Sequence, residues 1–497
     1  MIGIVGYGGY LPRLRLSRRA VVEANAWYAP GLLGKGRGTR ALANWDEDSL
    51  TMAVAAARDL LGPADDRSRV RHVLLASTTL PFADRLNAGV ACEALTLADD
   101  VQALDLGGSQ RVALSAVAQA LALVKAEGAN TAACALVLAA DSRQTRPASA
   151  QELDYGDGAA ALLLGSQGVI AEYLGGCALT VDFVDHYRQA GEDIDYHWEE
   201  RWVRDEGIGK LMPRAIGAAL AQAGVAAAQI DHFIFPSSFQ KMDQQLAKAC
   251  GVRAEAVADA LADSVGDTGA PHALLLLARV LQGAQPGQHV LVAQFGSGAQ
   301  ALVFRVTEAI AQFRPSVGVD GWLARGAEER NYTKFLSFKN QIRLERGMRG
   351  EQDRKTALST AYRHKAAILG LVAGRCSVTG QVHFPPSRIS YAQGKPLQDT
   401  QVPHKLADRQ GTVLSWSAES LSFHRAPPHH YGQVDFDGGG RILMEFTDVA
   451  KGDIASGTRV EMHFRIKDMD ELRGYTRYFW KAVPVRSTAA PAPKAGD

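Results

Sequence analysis

The chain has 497 residues, 47% of them hydrophobic and 22% charged, and a formal net charge of +1. That balance suits an ordinary globular protein of several domains and provides no electrostatic footing for nucleic acid or a membrane surface. The five cysteines (Cys92, Cys134, Cys177, Cys250, Cys376) are widely spaced and set among apolar residues, as reduced core thiols of a cytoplasmic protein are, and neither a secretory leader nor a spanning apolar run is read.

Residues 1–10 open as a strand ending in glycines. An amphipathic helix over 47–61 and a buried strand over 70–76 follow. A short apolar strand, 101–106, then runs into Gly107-Gly108-Ser109-Gln110-Arg111 and an Ala/Leu-rich helix. Strand, tight turn and helix make a nucleophile elbow: the apical residue is exposed, and the amides of the helix N-terminus can stabilise negative charge. The apex falls on Ser109 or Gln110, and no cysteine is there. Strands are expected over 133–139 and from the turn at 156–158 to 165.

The same programme then recurs in the same order. Residues 70–79 have a counterpart in 230–238, the elbow and its helix in 264–278, 135–141 in 290–296, and 158–164 in 298–304. This predicts a duplicated α/β unit with pseudo-two-fold symmetry and helices on both sheet faces. Between the halves lies a polar, aromatic insertion, Asp185-His186-Tyr187-Arg188 and then Tyr196-His197-Trp198 through Glu206. It reads either as a wall of the ligand site or as a solvated, salt-bridged helix.

Residues 311–368 are dense in charge and carry Tyr332, Phe335, Leu336 and Phe338, which predicts a helical connector with one apolar face. From 369 the chain turns β-rich, with strands expected over 378–384, 411–417, 431–436, 441–446 and 458–466, a set suited to a small barrel. The tail 487–497, rich in Ala, Pro and Lys, is expected to be disordered.

The duplicated half, the segment Gly156-Asp157-Gly158-Ala159 and the strand at Gly296-Ser297-Gly298 resemble the thiolase superfamily. Residues 1–310 are most similar to 3-hydroxy-3-methylglutaryl-CoA synthase and the related ketoacyl synthases. Residues 431–441 and 478–484 resemble the OB-fold domain fused to, or partnered with, thiolase-like proteins. The resemblance implies an α/β, duplicated thiolase-like layered αβαβα fold plus a C-terminal all-β OB-fold domain. Its divisions would be 1–168 and 169–310 for the two halves, 311–368 for the connector and 369–486 for the OB domain. It further implies a homodimer, an acyl-CoA thioester as substrate with no permanently bound cofactor, and a thiolase as a possible partner protein.

The residues that carry the synthases' activity are changed. The position of their acylated cysteine is Gln110, their second-half histidine would fall near Pro236, and the second elbow holds Asp267 where they have histidine or asparagine. Their general acid/base glutamate would fall within 77–80, where Asp84 is the nearest carboxylate. The OB relatives' Cys-x-x-Cys pairs leave only Cys376, with Thr379, Ser390 and Gln393 near the other positions, so no zinc is expected.

A glutamine cannot be acylated, and Ser109 attacks only with a base beside it. Elbow amides facing a thioester carbonyl still suit an enolate, as in aldol or retro-aldol cleavage of an acyl-CoA, or a retro-Claisen step. Asp267 is the expected general base if burial raises its pKa, its other role being a helix cap. His272 is either an acid/base or a satisfied core histidine, and Asp84 is a weaker catalytic candidate. Arg111 would hold an acyl carboxylate or a CoA phosphate, or merely form a salt bridge; His186 and Tyr187 would wall the substrate. Two further readings stay open: a non-catalytic scaffold for a partner thiolase, and a synthase with an altered site.

Overall fold

The computed structural model describes residues 1–63, 67–128, 131–350, 355–392 and 394–486, so the tail 487–497 and Gln393 lie outside the described residues. Its main sheet is built from near-continuous apolar runs, the pattern of strands covered on both faces. The nine strands are β1 Gly3–Tyr10, β2 Val70–Ala76, β3 Gln102–Leu106, β4 Cys134–Asp141, β5 Gly158–Gly165, β6 Ala171–Thr180, β7 His232–Ile234, β8 His289–Phe295 and β9 Gly298–Val306.

They lie in the order β7-β8-β9-β6-β1-β5-β4-β2-β3. The first half therefore reads β3-β2-β4-β5-β1. In the second half β7-β8-β9-β6 repeats this, and the missing edge partner of β7 survives as a parallel bridge between Phe233 and Val257. Within the sheet, among the described residues, the halves pair through Gly3 opposite Glu172 and Ile4 opposite Ala171. The repeat expected from the sequence is thus a repeat of strand order and direction.

Helix α1 (Ser49–Leu61) packs on β1, β5 and β4, and Asp48 caps it by accepting from Thr51 N at 2.8 Å. The elbow helices α2 (Val112–Glu127) and α4 (His272–Gly283) touch one another and strands of both halves. Leu274, Leu275, Leu276 and Leu277 are all buried, as a helix apolar all round must be. Helix α3 (Gly209–Ala223) covers β6 and β9 from outside. Among the described residues no helix is long and apolar enough to cross a membrane.

The connector is only partly helical. Residues Ala327–Glu329 form a strand parallel to Leu14–Ser17, and Tyr332–Phe338 is a short helix whose Phe335 lies under the Arg40 guanidinium at 4.7 Å. Its apolar face is used, but on the N-terminal excursion of the core.

The C-terminal β region centres on a five-stranded antiparallel sheet in the order Arg441–Glu445, His429–Phe436, Gly411–Glu419, Arg459–Asp470, Tyr475–Pro484. A bridge from Phe446 to Ala482 joins its first and last strands into a barrel. One expected strand is displaced: 378–384 holds a turn with Gly380 at φ +74°, and the strand precedes it at Val372–Cys376 with only Val382–His383 paired back. The last barrel strand was not among those expected.

The barrel docks on the core through buried ion pairs. Lys481 Nζ is 3.0 Å from Asp46 and 4.2 Å above the Trp45 ring, Arg465 pairs with Glu47 and Asp448, and Tyr478 donates to Asp48 at 2.7 Å.

Candidate active site

The first elbow forms as expected. Strand β3 ends at Leu106, Gly108 turns with φ +89°, and a side chain on Gly107 would lie 3.1 Å from the Ser77 carbonyl, so glycine suits both positions. From the second half Gly296 closes on it: a Cβ there would sit 2.9 Å from Ser109 Oγ and 3.2 Å from Gln110 N.

Ser109 Oγ donates to the Gly296 carbonyl at 2.8 Å, so its proton goes to a backbone oxygen and not to a base. Arg111 is likewise committed. Its Nε donates to Gly296 O at 3.0 Å, its Nη1 reaches Ser115 and Gln300 at 3.3 Å, and its Nη2 reaches Thr180 at 3.2 Å. The expectation that Arg111 holds an acyl carboxylate or a phosphate gives way to a clamp between elbow and second half, because its nitrogens are spent on protein oxygens.

Gln110, at the apex, meets the insertion. Its Nε2 is 3.3 Å from His186 Nε2, and His186 Nδ1 is 2.7 Å from the Asp185 carboxylate. The insertion folds here as a two-stranded hairpin, with His186 opposite His197 and Tyr187 opposite Tyr196. Side-chain alternation sends both imidazoles to one face and both phenols to the other. The two imidazoles stack at 5.6 Å and 17°. Burial works against charge on His186, but the hydrogen-bonded Asp185 carboxylate raises its pKa above the usual value; burial and the neighbouring His186 lower that of His197. A titrating pair pushed apart in this way is the signature of an acid/base assignment.

His197 Nε2 is 2.7 Å from the Tyr155 hydroxyl, and the Tyr155 ring carries Arg143 at 3.6 Å. Arg143 pairs with Asp267 at 3.2 Å and donates to its carbonyl at 2.6 Å. Asp267 therefore reaches the elbow through a chain of four side chains. Its expected raised pKa is corrected: burial pushes the carboxyl up, but Arg143, His272 and the Gly269 amide together outweigh it and hold the carboxyl below the usual range. Its Oδ1 accepts from Gly269 N at 2.8 Å, which fixes the second turn, while α4 starts only at His272.

His272 has both ring nitrogens occupied inside the core: Nδ1 accepts from Thr268 N at 3.0 Å and Nε2 donates to Ala260 O at 3.0 Å. That geometry fits the satisfied core histidine and leaves no nitrogen for a substrate. Asp84 is exposed on its loop and outside the cleft lining. At the segment where the synthases' glutamate would fall, the buried Asp141 gathers Thr78 N, Ala270 N and the Ser77 hydroxyl at 2.7 to 2.9 Å, tying loop 77–79 to the second elbow.

Ser109, His186 and Tyr187 line a cleft of about 1940 Å³ between the core and the barrel. The barrel wall brings a stacked imidazole pair, His424 on His429 at 4.8 Å, with Trp45 edge-on to His424 at 4.9 Å. Cys376 Sγ lies 3.2 Å from Thr400 Oγ1, and among the described residues no group of three or more His, Cys, Asp or Glu is placed to hold a metal ion.

The structure thus joins Ser109, Gln110, Arg111, His186 and Tyr187 at one site and sets Asp84, Asp267 and His272 apart from it. Asp185, His197, Tyr155 and Arg143 were missed as site residues. The signal for the first two was present in the Asp185-His186 pair and in a second histidine eleven residues on.

Residues 404–465 match the family of the ChsH2 C-terminal OB-fold domain, and 220–306 match the 3-oxoacyl-[acyl-carrier-protein] synthase III C-terminal family. A hydroxymethylglutaryl-CoA synthase of Aeropyrum pernix is 30% identical over 318 residues, 63% of this chain and 87% of that one. The Methanocaldococcus jannaschii enzyme of the same description is 27% identical over 351 residues, 69% of this chain and 100% of that one. Among solved structures, MvaS in complex with 3-hydroxy-3-methylglutaryl coenzyme A aligns with a TM-score of 0.56 at 19% identity, over 68% of this chain and 91% of that one. OleA of Xanthomonas campestris aligns with a TM-score of 0.53 at 18% identity, over 62% of this chain and 96% of that one.

Proposed function

The chain belongs to the hydroxymethylglutaryl-CoA synthase family, among the thiolase-like acyl-CoA condensing enzymes, and we propose that it makes or cleaves a carbon–carbon bond in an acyl-CoA by aldol chemistry, without a cysteine acyl-enzyme. The observation that carries this reading is the Asp185–His186 dyad set against Gln110, where the family's acylated cysteine would stand.

In the cleaving direction the Gln110 amide turns from His186 to the thioester oxygen, and the freed Nε2 of neutral His186 takes the proton of a β-hydroxyl. The O–Cβ bond becomes a carbonyl as Cα–Cβ breaks, and the electron pair passes into a thioester enolate. The same imidazolium then returns the proton to Cα, so atoms and charge balance with no further reactant. The enolate oxygen faces the Gln110 amide at the N-terminus of α2, where N–H groups and the helix dipole favour negative charge. Asp185 holds the imidazole in one tautomer and stabilises its cation, as the orienting carboxylate of a triad does. The base role expected of Asp267 passes to His186.

The test is turnover of β-hydroxyacyl-CoA thioesters by the purified chain, read as a shorter acyl-CoA plus a carbonyl product. Removing a positioned acid/base costs about 100-fold or more in kcat, so His186→Ala with wild-type melting should show that loss. Wild-type turnover in His186→Ala, or an acyl adduct on the chain, would refute the mechanism. The match to the ChsH2 OB-fold domain favours one second reading, a scaffold for a partner thiolase. It predicts no turnover alone and stimulation of the partner.

A further inference from the structure

Behind the dyad lies a second cavity of about 410 Å³, within the usual range for a small-molecule site. Val184, Tyr187, Tyr196, Trp198 and Trp202 line it, and each leaves a third or more of its surface open. So much clustered ring surface is unusual on a protein face and marks a contact site.

The cavity is built, not incidental. Phe183 stacks on Trp202 at 5.3 Å and 8°, and Tyr187 meets Tyr196 across the hairpin at 5.4 Å. After Trp202 the chain winds through a π-helical segment, Val203–Ile208, a form found disproportionately at functional sites. Gly207 lets that segment pass the rings: a Cβ there would be 2.7 Å from Phe295 and 2.9 Å from Phe183. The cavity and the main cleft share Asp182, Phe183, Val184, His186 and Tyr187. The two spaces therefore share one wall, the segment that carries His186 of the dyad.

We propose that this aromatic cavity is the acyl subsite, and that it selects a flat, ring-bearing apolar acyl group over a short one. The inference rests on the acyl-CoA reading above. Parallel and tilted aromatic faces match a ring by offset or edge contact, while an acetyl group would leave them wet. The shared His186 wall fixes the direction: thioester toward Gln110, acyl body toward Trp198. A small molecule fits better than a protein segment, because His186 of the dyad lines this space as well as the main cleft.

The test uses direct binding, read by quenching of tryptophan fluorescence and by calorimetry, with acetyl-CoA and 3-(2-naphthyl)propanoyl-CoA as probes. The wild type should bind the naphthyl thioester about tenfold or more tighter. The double variant Tyr196→Ala, Trp198→Ala, both exposed positions, should bring the two thioesters within about threefold while acetyl-CoA affinity is unchanged. Equal affinities in the wild type, or an undiminished ratio in the variant, would overturn the subsite and leave acyl-CoA binding intact. Failure of both thioesters to bind would instead remove the acyl-CoA reading and the subsite with it. A variant that keeps its selectivity but loses an oligomer in sedimentation would reassign the patch to a protein interface and overturn the proposal.

Discussion

The amide nitrogen of Gln110 lies 3.3 Å from Nε2 of His186, where the elbow of the first half meets the insertion between the halves. In the proposed reaction the amide at the apex and the oriented imidazole beside it replace covalent catalysis with proton transfer.

The dyad predicts a pH profile. Asp185 raises the His186 pKa despite burial, so the neutral base becomes available only above its ordinary value of 6.5. For cleavage, kcat/KM should rise with pH through a midpoint above 6.5. Asp185→Asn should move that midpoint toward acid and lower the plateau. A profile unmoved by Asp185→Asn would remove His186 from the reaction.

Asp267 should prove structural. Asp267→Asn leaves the buried Arg143 without its carboxylate, a change worth about 3 kcal/mol or more by the usual cost of breaking a buried pair. The expected result is a lower melting temperature, with turnover by the folded fraction retained. Loss of turnover at unchanged stability would return the base role to Asp267.

No acyl adduct is expected at any cysteine. Burial pushes the Cys92 thiol up to about 12 and the Cys250 thiol up to about 11. Hydrogen bonds from Thr379 and Thr400 bring the Cys376 thiol down to about 6, but the residue is 1% exposed. Thiolates at that position are out of reach of a thioester. Intact-mass spectrometry after incubation with acetyl-CoA checks this.

The ion pairs under the barrel should couple the two parts of the chain. Lys481→Met strands Asp46, a loss of about 3 kcal/mol by the same rule, read as a lower or split thermal transition. Burial alone would raise the Asp46 pKa, but Lys481 and Arg465 hold it below the usual range. Its contribution is therefore full above the unfolded value of about 3.9 and fades as pH falls below it.

A homodimer should form along β3. This strand is an edge of the main sheet, paired only to β2, and it presents Leu104 to solvent with 45% exposure. Sedimentation should show a dimer for the wild type and a monomer for Leu104→Lys.

The architecture was legible in the sequence because apolar runs and glycine turns are local signals, and they recur here in one order. Residues 70–76, the elbow at Gly107-Gly108 and residues 158–165 all appear where periodicity and turn chemistry put them. That the elbow at 107–111 holds no cysteine was legible too, since it is read from the residues directly. What the sequence could not decide was which polar groups meet. Asp267 and His272 looked catalytic by position, but their partners come from elsewhere in the fold: Arg143 lies 124 residues from Asp267, and the Ala260 carbonyl accepts from His272 Nε2. Arg111 read as an anion clamp or a salt bridge until Gly296 and Gln300 closed on it. The dyad's place at the elbow, 76 residues away in the chain, depends on how the hairpin folds over the first half. Protonation and hydrogen bonding depend on neighbours within a few ångströms, and tertiary packing alone supplies them.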